Sequence, residues 1–232
     1  MSQWDATSVT VQDQDTRDSS RFGLTGVIAP ETGQVEACNA MIPELLEAFQ
    51  IDSNVLFFAY GQTGSGKTHT MLGEIESLSS SVPVDGWGIL PRVVYSTLQV
   101  MKSWQSEGVQ SVLLASAVEF YCGAAFDLNS AGGRKNEVTI DRDASIFGAR
   151  SKEITSPKQL KKWITRMYAN RTTAKTQMND ASSRSHCAFI LTLHQLRADD
   201  TYTKTTFSVV RLPESTCFSP HSPCLLPQST CL

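Results

Sequence analysis

One eight-residue stretch limits the possible folds of this 232-residue chain more than any other part of the sequence. It matches the pattern G-x-x-x-x-G-K-[ST], and its residues are Gly61, Gln62, Thr63, Gly64, Ser65, Gly66, Lys67 and Thr68. Glycines in such a loop let backbone N–H groups turn towards phosphate oxygens at the start of a helix, whose dipole favours negative charge. The pattern therefore predicts a phosphate site in which Lys67 reaches the β- and γ-phosphates and the Thr68 hydroxyl binds Mg²⁺.

The residues on either side of the loop favour this interpretation over a glycine-rich surface turn with an incidental lysine. Val55–Tyr60 is an uninterrupted apolar run, which is typical of a strand buried on both faces of a parallel sheet. We expect it to be a central strand, with the loop at its carboxyl end and a helix that begins near Gly66. Apolar residues at helical spacing predict another helix over Gln34–Phe49.

Two later segments predict that the sheet is mixed. Ala188–Leu196 and Thr203–Val210 read as strands around an Asp199-Asp200 turn, a connection too short for a parallel crossover. Between the loop and this pair, Ser156 and Gln159 form a capping-box pattern that predicts the start of a basic amphipathic helix running towards Tyr168.

Composition excludes several classes of function. The formal net charge of −3 gives no general attraction to nucleic acid or to anionic membranes. The six cysteines contain no Cys-x-x-Cys pair, which argues against a zinc site or a disulfide framework. The first twenty residues lack the features of a signal peptide, and no apolar run is long enough to cross a bilayer. We therefore expect a cytoplasmic protein without nucleic-acid or membrane partners.

A second motif, Asn179-Asp180-Ala181-Ser182-Ser183-Arg184-Ser185-His186, is dense in hydroxyl groups and precedes an apolar strand. Alone it reads equally as an exposed serine-rich loop or a phosphorylation site. Beside a phosphate loop, its hydroxyls and its arginine suit contacts with a γ-phosphate and with the water shell of Mg²⁺.

With both motifs in view, the chain resembles the kinesin motor family. The segment Phe58–Met71 is similar to the phosphate loop of that family, and Asn179–His186 is similar to its switch I. Gly88-Ile89-Leu90-Pro91-Arg92 resembles its G-I-[IL]-P-R segment, and Glu119-Phe120-Tyr121…Asp127-Leu128 resembles its E-[IF]-Y…D-L segment. These matches follow the order of the family from Phe22 to about Val210.

The resemblance implies an α/β P-loop nucleoside triphosphatase with a central mixed β-sheet flanked by helices. It also implies ATP and Mg²⁺ as cofactors, microtubules as the partner and a cytoskeletal location. By position, Ser183 would approach the γ-phosphate and ligate the metal alongside Thr68, while Ser182 and Asn179 would shape the loop. Arg184 would pair with a switch II glutamate, which leaves Lys67, Ser183 and Arg184 as the catalytic candidates.

The resemblance also fails at both ends, so we expect an incomplete motor core. Residues 1–21 form a polar segment without the R-x-R-P of the first core strand. After the predicted strand that ends at Val210, Arg211 stands where the family has the Mg²⁺-linked aspartate of D-L-A-G-S-E. Residues 22–210 are thus the predicted partial motor domain, and 211–232 a Pro/Ser/Cys-rich tail predicted to be disordered. A mis-spliced or frameshifted reading, a degenerate gene and a newly evolved tail remain alternative explanations, and Glu214 is a candidate substitute for the missing glutamate.

Three functional hypotheses follow. The leading one is an ATP-binding motor domain whose family hydrolyses ATP and moves along microtubules. The second is a non-hydrolysing nucleotide-binding or interaction protein, because switch II is missing. The third, a P-loop kinase of small metabolites, lacks a lid or substrate-arginine pattern. The basic helix, with Lys158, Lys161, Lys162 and Arg166, and with Arg171 and Lys175 beyond it, suits either a solvated face or a contact with acidic tubulin tails.

Overall fold

Two β-sheets and four α-helices form the described part of this computed structural model, which covers residues 2–12, 16–62, 64–130, 136–141, 146–176 and 185–212. The strands are β1 (Ser2–Trp4), β2 (Ser8–Gln12), β3 (Ser19–Gly23), β4 (Val55–Ala59), β5 (Gln110–Tyr121), β6 (Ala124–Asp127), β7 (Glu137–Ile140), β8 (Ile146–Phe147), β9 (Lys152–Glu153), β10 (Ser185–Leu196) and β11 (Tyr202–Arg211). The helices are α1 (Gln34–Ile51), α2 (Lys67–Met71), α3 (Ile89–Ser106) and α4 (Pro157–Thr176), with a short 3-10 helix at Ile75–Ser79.

The large sheet has the order β4-β11-β10-β5-β6-β7-β8, and β9 pairs with β5. β4 and β11 run parallel, whereas β11, β10 and β5 are successively antiparallel, so the predicted mixed sheet is confirmed. The tight connection between β10 and β11 is closed by a hydrogen bond from the Arg197 N–H to the Thr201 carbonyl. The resulting architecture is the predicted α/β fold, with helices packed on the sheet.

The core fills the space between the helices and the sheet. Phe49 of α1 meets Phe207 of β11 edge to face, with ring centroids 5.6 Å apart. Trp163 of α4 meets Phe189 of β10 in the same way at 5.8 Å. The Ser156 hydroxyl accepts the Gln159 N–H at the start of α4, as the capping box predicts, although the Gln159 side chain accepts the N–H of Thr155. Helix α4 then continues past Tyr168 to Thr176.

The position of β4 corrects the prediction of a central strand buried on both faces. Within the described residues, β4 lies at the edge of the sheet and pairs with β11 alone. Val55 is buried in the core, but Leu56, Phe58 and Tyr60 are 48%, 57% and 54% exposed. The apolar run was misleading because helix α1 packs against the strand on one side, while Leu56 and Phe58, which face the other side, stay exposed.

The small sheet, β1-β2-β3, is antiparallel throughout and precedes the first helix in the sequence. Ser8 of β2 accepts a hydrogen bond from Arg21 of β3, and Arg21 also pairs with Asp5 at 3.0 Å. The predicted boundary between residues 21 and 22 therefore falls inside β3, because the polar segment is folded into strands. The division of the chain into three segments otherwise stays a prediction, and residues 213–232 lie outside the described ranges.

Gly88, in the G-I-L-P-R segment, lies at a point where two backbones touch. Its own N–H donates to the Leu72 carbonyl at 3.3 Å, directly after α2. A Cβ at Gly88 would lie 2.6 Å from the Gly73 nitrogen and 2.7 Å from Leu72 backbone atoms. The adjacent Trp87 is fully buried, and its indole N–H donates to the Ser77 carbonyl at 3.0 Å. The contact thus joins the end of the phosphate-loop helix to the start of α3.

We expect Gly88→Ala to destabilise the fold by about 1–3 kcal/mol, because the new methyl group would meet backbone that cannot rotate away. The φ of Gly88 is −81°, which alanine adopts freely, so only the close contact opposes the substitution. Chemical denaturation followed by circular dichroism measures the loss. Gly26→Ala is the matched control, since a Cβ there would meet nothing within 4 Å. Equal unfolding midpoints for the two variants would contradict the prediction.

Two expectations from composition can be compared with the described residues. No helix in the described part of the chain has both the length and the apolar character needed to cross a membrane. Within the same residues, Cys38, Cys122 and Cys187 are all free thiols, and no group of three His, Cys, Asp or Glu side chains is placed to hold a metal ion. The other three cysteines lie outside the described ranges.

Candidate nucleotide site

The phosphate loop leaves the carboxyl end of β4 and enters helix α2 at Lys67, as predicted. Gly64 and Gly66 both have a φ of +87°, a left-handed conformation that favours glycine. Gly66 is the residue before the helix, so the loop turns sharply and directs the N–H groups of the first turn outward. This is the backbone geometry that binds phosphate oxygens. Thr63, which was also predicted to contact the phosphates, lies outside the described residues.

Lys67 is held inside the loop. It is only 7% exposed, and its Nζ donates to the carbonyl oxygens of Gly61 and Gln62 at 2.6 Å each. These two bonds fix the ammonium group within the curve of the loop, where a phosphate bound to the backbone N–H groups would face it. The role predicted for Lys67 is compatible with this position.

Thr68 contacts a residue that the sequence did not single out for the site. Its side chain lies beside the hydroxyl of Tyr168, which α4 brings against the loop from a hundred positions later in the chain. Burial, with a smaller effect from Cys187, raises the pKa of Tyr168 to about 12, while Arg171, Thr68 and Arg211 oppose the rise. Tyr168 is therefore a neutral hydroxyl beside Thr68 at physiological pH.

Arg171 of α4 connects two of the motifs that carried the resemblance. Its Nε lies 3.4 Å from Oε1 of Glu119, which is fully buried in β5. One of its terminal nitrogens donates to Oγ of Ser185, the first residue of β10, at 3.1 Å. The arginine thereby fixes the start of β10 to α4. Sequence reasoning placed Arg171 with the exposed basic residues, whereas it is 8% exposed.

The predicted switch I residues Asn179, Ser182, Ser183 and Arg184 lie outside the described residues, so their distances to the loop stay a prediction. The strand that follows them in the sequence, β10, is described. Cys187 of β10 is opposite Arg211 of β11, and Arg211 is opposite Ala59 of β4. Ser185, the first described residue after them, therefore lies at the same end of the sheet as the phosphate loop.

Arg211 occupies this edge next to the phosphate loop. It ends β11, and the N–H of the following Leu212 donates to the Ala59 carbonyl at 3.1 Å. Its Nε is buried and has no hydrogen-bond partner among the described residues, and the same is true of Nδ1 of His186. Burial, followed by the nearby Arg171, lowers the pKa of Arg211.

A nucleotide and a metal ion fit this site unequally. The glycine loop and Lys67 suit a phosphate chain, because they offer backbone N–H groups and a fixed cation. For Mg²⁺, the loop offers the Thr68 hydroxyl, with the Tyr168 hydroxyl beside it, and the buried unpaired atoms among the described residues at this end of the sheet are nitrogens of Arg211 and His186. Magnesium prefers an octahedral set of oxygens that usually includes a carboxylate. The described residues of the edge therefore fit a nucleotide better than they fit its metal.

The basic face of α4 is mainly a solvated surface. Lys158, Lys162 and Arg166 are exposed, while Lys161 donates to the Ser79 hydroxyl at 2.5 Å and lies 3.6 Å from a Glu76 oxygen. These exposed cations could contact an acidic partner protein, but no feature of the described residues identifies such a partner.

The comparisons with known proteins agree with the loop and the fold. The kinesin motor domain family model matches residues 2–215. The chain is 31% identical over 178 residues to the kinesin-like protein KIF7 of Mus musculus, and 31% identical over 188 residues to the kinesin-like protein klpA of Emericella nidulans. These matches cover 75% and 77% of this chain but only 13% and 22% of the relatives.

A solved structure supports the architecture. It is described as the structure of a fast kinesin with implications for ATPase mechanism and interactions with microtubules, and it superposes with a TM-score of 0.77 at 24% sequence identity. The superposition covers 94% of this chain and 60% of the solved chain. The match to the family model begins at residue 2 and therefore includes the residues of the small N-terminal sheet. This chain belongs to the kinesin motor domain family.

Proposed function

We propose that this chain binds ATP through Gly61–Thr68, as the nucleotide-binding core of a protein whose family couples ATP hydrolysis to movement along microtubules. The observation that carries the proposal is the buried Lys67, anchored by two carbonyls of its own loop at the carboxyl end of β4. A lysine that served only the surface would not be enclosed in this way. Because the chain spans 13% of the KIF7 length, the motor activity of a whole protein is part of the proposal.

The residues of the second motif complete the proposed site. Ser183 would contact the γ-phosphate and, with Thr68, the metal of a Mg-nucleotide. Asn179 and Ser182 would shape the loop, and Arg184 would take part when the site closes around ATP. Support comes from the described residue next to them, Ser185, which starts β10 at the loop edge of the sheet. A hydroxyl-rich segment that directly precedes Ser185 in the sequence would be able to sense whether the γ-phosphate is present.

A second function is favoured by one observation, the guanidinium of Arg211 at the position where the family has an aspartate. Under this alternative the chain binds nucleotide without turning it over and acts as a catalytically impaired member of the family. The two candidates share the phosphate loop, so binding tests both, whereas turnover separates them.

The proposed partner is the microtubule, and the proposed location is the cytoskeleton within the cytoplasm. The exposed Lys158, Lys162 and Arg166 offer a positive face for an acidic protein surface. Co-sedimentation of the purified chain with polymerised tubulin, at low and raised salt, tests this part of the proposal.

Nucleotide binding is tested by titrating the purified chain into ATP that carries a fluorescent N-methylanthraniloyl group, with fluorescence anisotropy as the signal. We expect Lys67→Ala to weaken binding by about 10-fold or more, because it removes a charge-assisted contact to phosphate. Lys102→Ala is the matched control, since Lys102 is an exposed lysine on α3. Equal affinities for the two variants, or no saturable binding by the unaltered chain, would reject the proposal.

A further inference from the structure

Arg211 is level with the start of the phosphate loop. In the parallel pair of β11 and β4, its Cα partner is Ala59, two positions before Gly61. The Leu212 N–H extends the pairing by one more hydrogen bond to Ala59. Neighbouring strands lie roughly 5 Å apart, which keeps the backbone of Arg211 next to the strand that feeds the loop.

The polar groups at this position include two buried atoms without partners among the described residues, Nε of Arg211 and Nδ1 of His186. A buried donor that forms no hydrogen bond is costly, and more so when the group is charged. Such atoms are uncommon in folded proteins and point to a group that binds there. For a guanidinium, the matching group is an oxyanion.

The surrounding charges do not neutralise Arg211. Burial raises the pKa of Tyr168 to about 12 and that of Cys187 to about 11, so both are neutral at physiological pH. Burial, together with Arg211 itself, lowers the pKa of His186. The buried carboxylate of Glu119 pairs with Arg171, and within the described ranges no carboxylate forms an ion pair with Arg211. With Lys67, the edge carries an excess of positive charge.

That excess opposes a divalent cation and favours a polyanion. A guanidinium and Mg²⁺ at the same edge would repel each other, and the positive charge of either can offset the charge of a triphosphate. Arginine also binds phosphate through two parallel N–H donors, which a metal ion does not provide. The residues present thus supply the charge that the family obtains from its metal.

Building on the nucleotide site proposed above, we propose that this chain binds a nucleoside triphosphate without a divalent cation, and that the Arg211 guanidinium takes the place of Mg²⁺ beside the phosphate loop. The inference concerns binding alone and requires no chemical step. It separates this chain from relatives that use a metal, because its charge is built into the end of β11.

The test is the same anisotropy titration, with fluorescent ATP and the full chain, carried out in excess EDTA and in excess MgCl₂. We expect binding in EDTA to be at least as tight as binding in MgCl₂, because Arg211 would repel the Mg²⁺ that ATP carries in the second buffer. Arg211→Met should weaken binding in EDTA by about 10-fold or more, since it removes a charge-assisted phosphate contact. Arg211→Asp should abolish binding in EDTA and restore it in MgCl₂. Lys204→Met is the control, because it removes an exposed cation from the same strand.

Each outcome has one meaning. Binding that requires MgCl₂ overturns this inference and leaves the proposed nucleotide function intact, whereas no binding in either buffer overturns both. Arg211→Met that binds as tightly as the unaltered chain in EDTA, with an unchanged circular dichroism spectrum, also overturns it. The comparison of buffers needs no variant, so a misfolded substitution does not prevent a decision.

Discussion

Purified protein is expected to show little or no microtubule-stimulated ATP hydrolysis, even though it binds nucleotide. Stabilising the transition state of phosphoryl transfer depends on charges placed around the γ-phosphate and on a positioned water. The resemblance places Arg211 at the position of the family's metal-linked aspartate, and removing single parts of such a site commonly lowers the rate by about two or more powers of ten. The affinity for nucleotide depends on the loop and is expected to survive.

A phosphate-release assay with and without microtubules measures this, and Lys67→Ala sets the background. Stimulated hydrolysis well above that background would contradict the prediction. It would also direct attention to Glu214, the acidic residue nearest to Arg211 in the sequence beyond β11, as a substitute for the missing glutamate.

Glu119→Gln is expected to lower the free energy of unfolding by about 3–5 kcal/mol. The substitution keeps the shape of the side chain but leaves the Arg171 guanidinium buried without its carboxylate, 3.4 Å from a neutral amide. Removing one member of a buried ion pair costs far more than the pair contributes, since the remaining charge is cut off from water. The loss should appear as a lower midpoint in denaturant unfolding with an unchanged slope.

A double-mutant cycle with Arg171→Met distinguishes this cause from a simple packing defect. We expect the double variant to lose less free energy of unfolding than the two single variants lose together, because it no longer contains the unpaired Arg171 charge. Additive losses, or a single-variant loss below about 1 kcal/mol, would show that the ion pair does not stabilise the contact between β5 and α4.

Sequence reasoning succeeded where the signal is local. The order of strand, glycine loop and helix around Lys67 was predicted correctly because the loop geometry is encoded by its own glycines. The antiparallel pair β10 and β11 followed from the shortness of its turn. The edge position of β4 was not predictable in this way, since it depends on which distant segments lie beside the strand.

The two connections to α4 were missed for the same reason. Tyr168 meets Thr68, and Arg171 meets Glu119, across large separations in sequence. A signal for Arg171 was nevertheless present. Leu160, Ile164 and Met167 form the buried stripe of α4, and Arg171 is the next position on that stripe. A cation on the apolar stripe of a helix predicts a buried acidic partner, and Glu119, within an apolar strand, was the available one.

The single-sided pairing of β4 sets a limit on how tightly this chain can hold a ligand. The strand carries the phosphate loop, yet among the described strands only β11 holds it in the sheet. Segments with few neighbours open locally at a lower free energy than the core, and binding then requires the closed form. The observed dissociation constant equals the intrinsic one divided by the fraction of molecules in which the strand is closed. Nucleotide should therefore slow amide hydrogen exchange in β4 more than in β5, which pairs with β10 along its whole length and with β6 and β9 along parts of its other side.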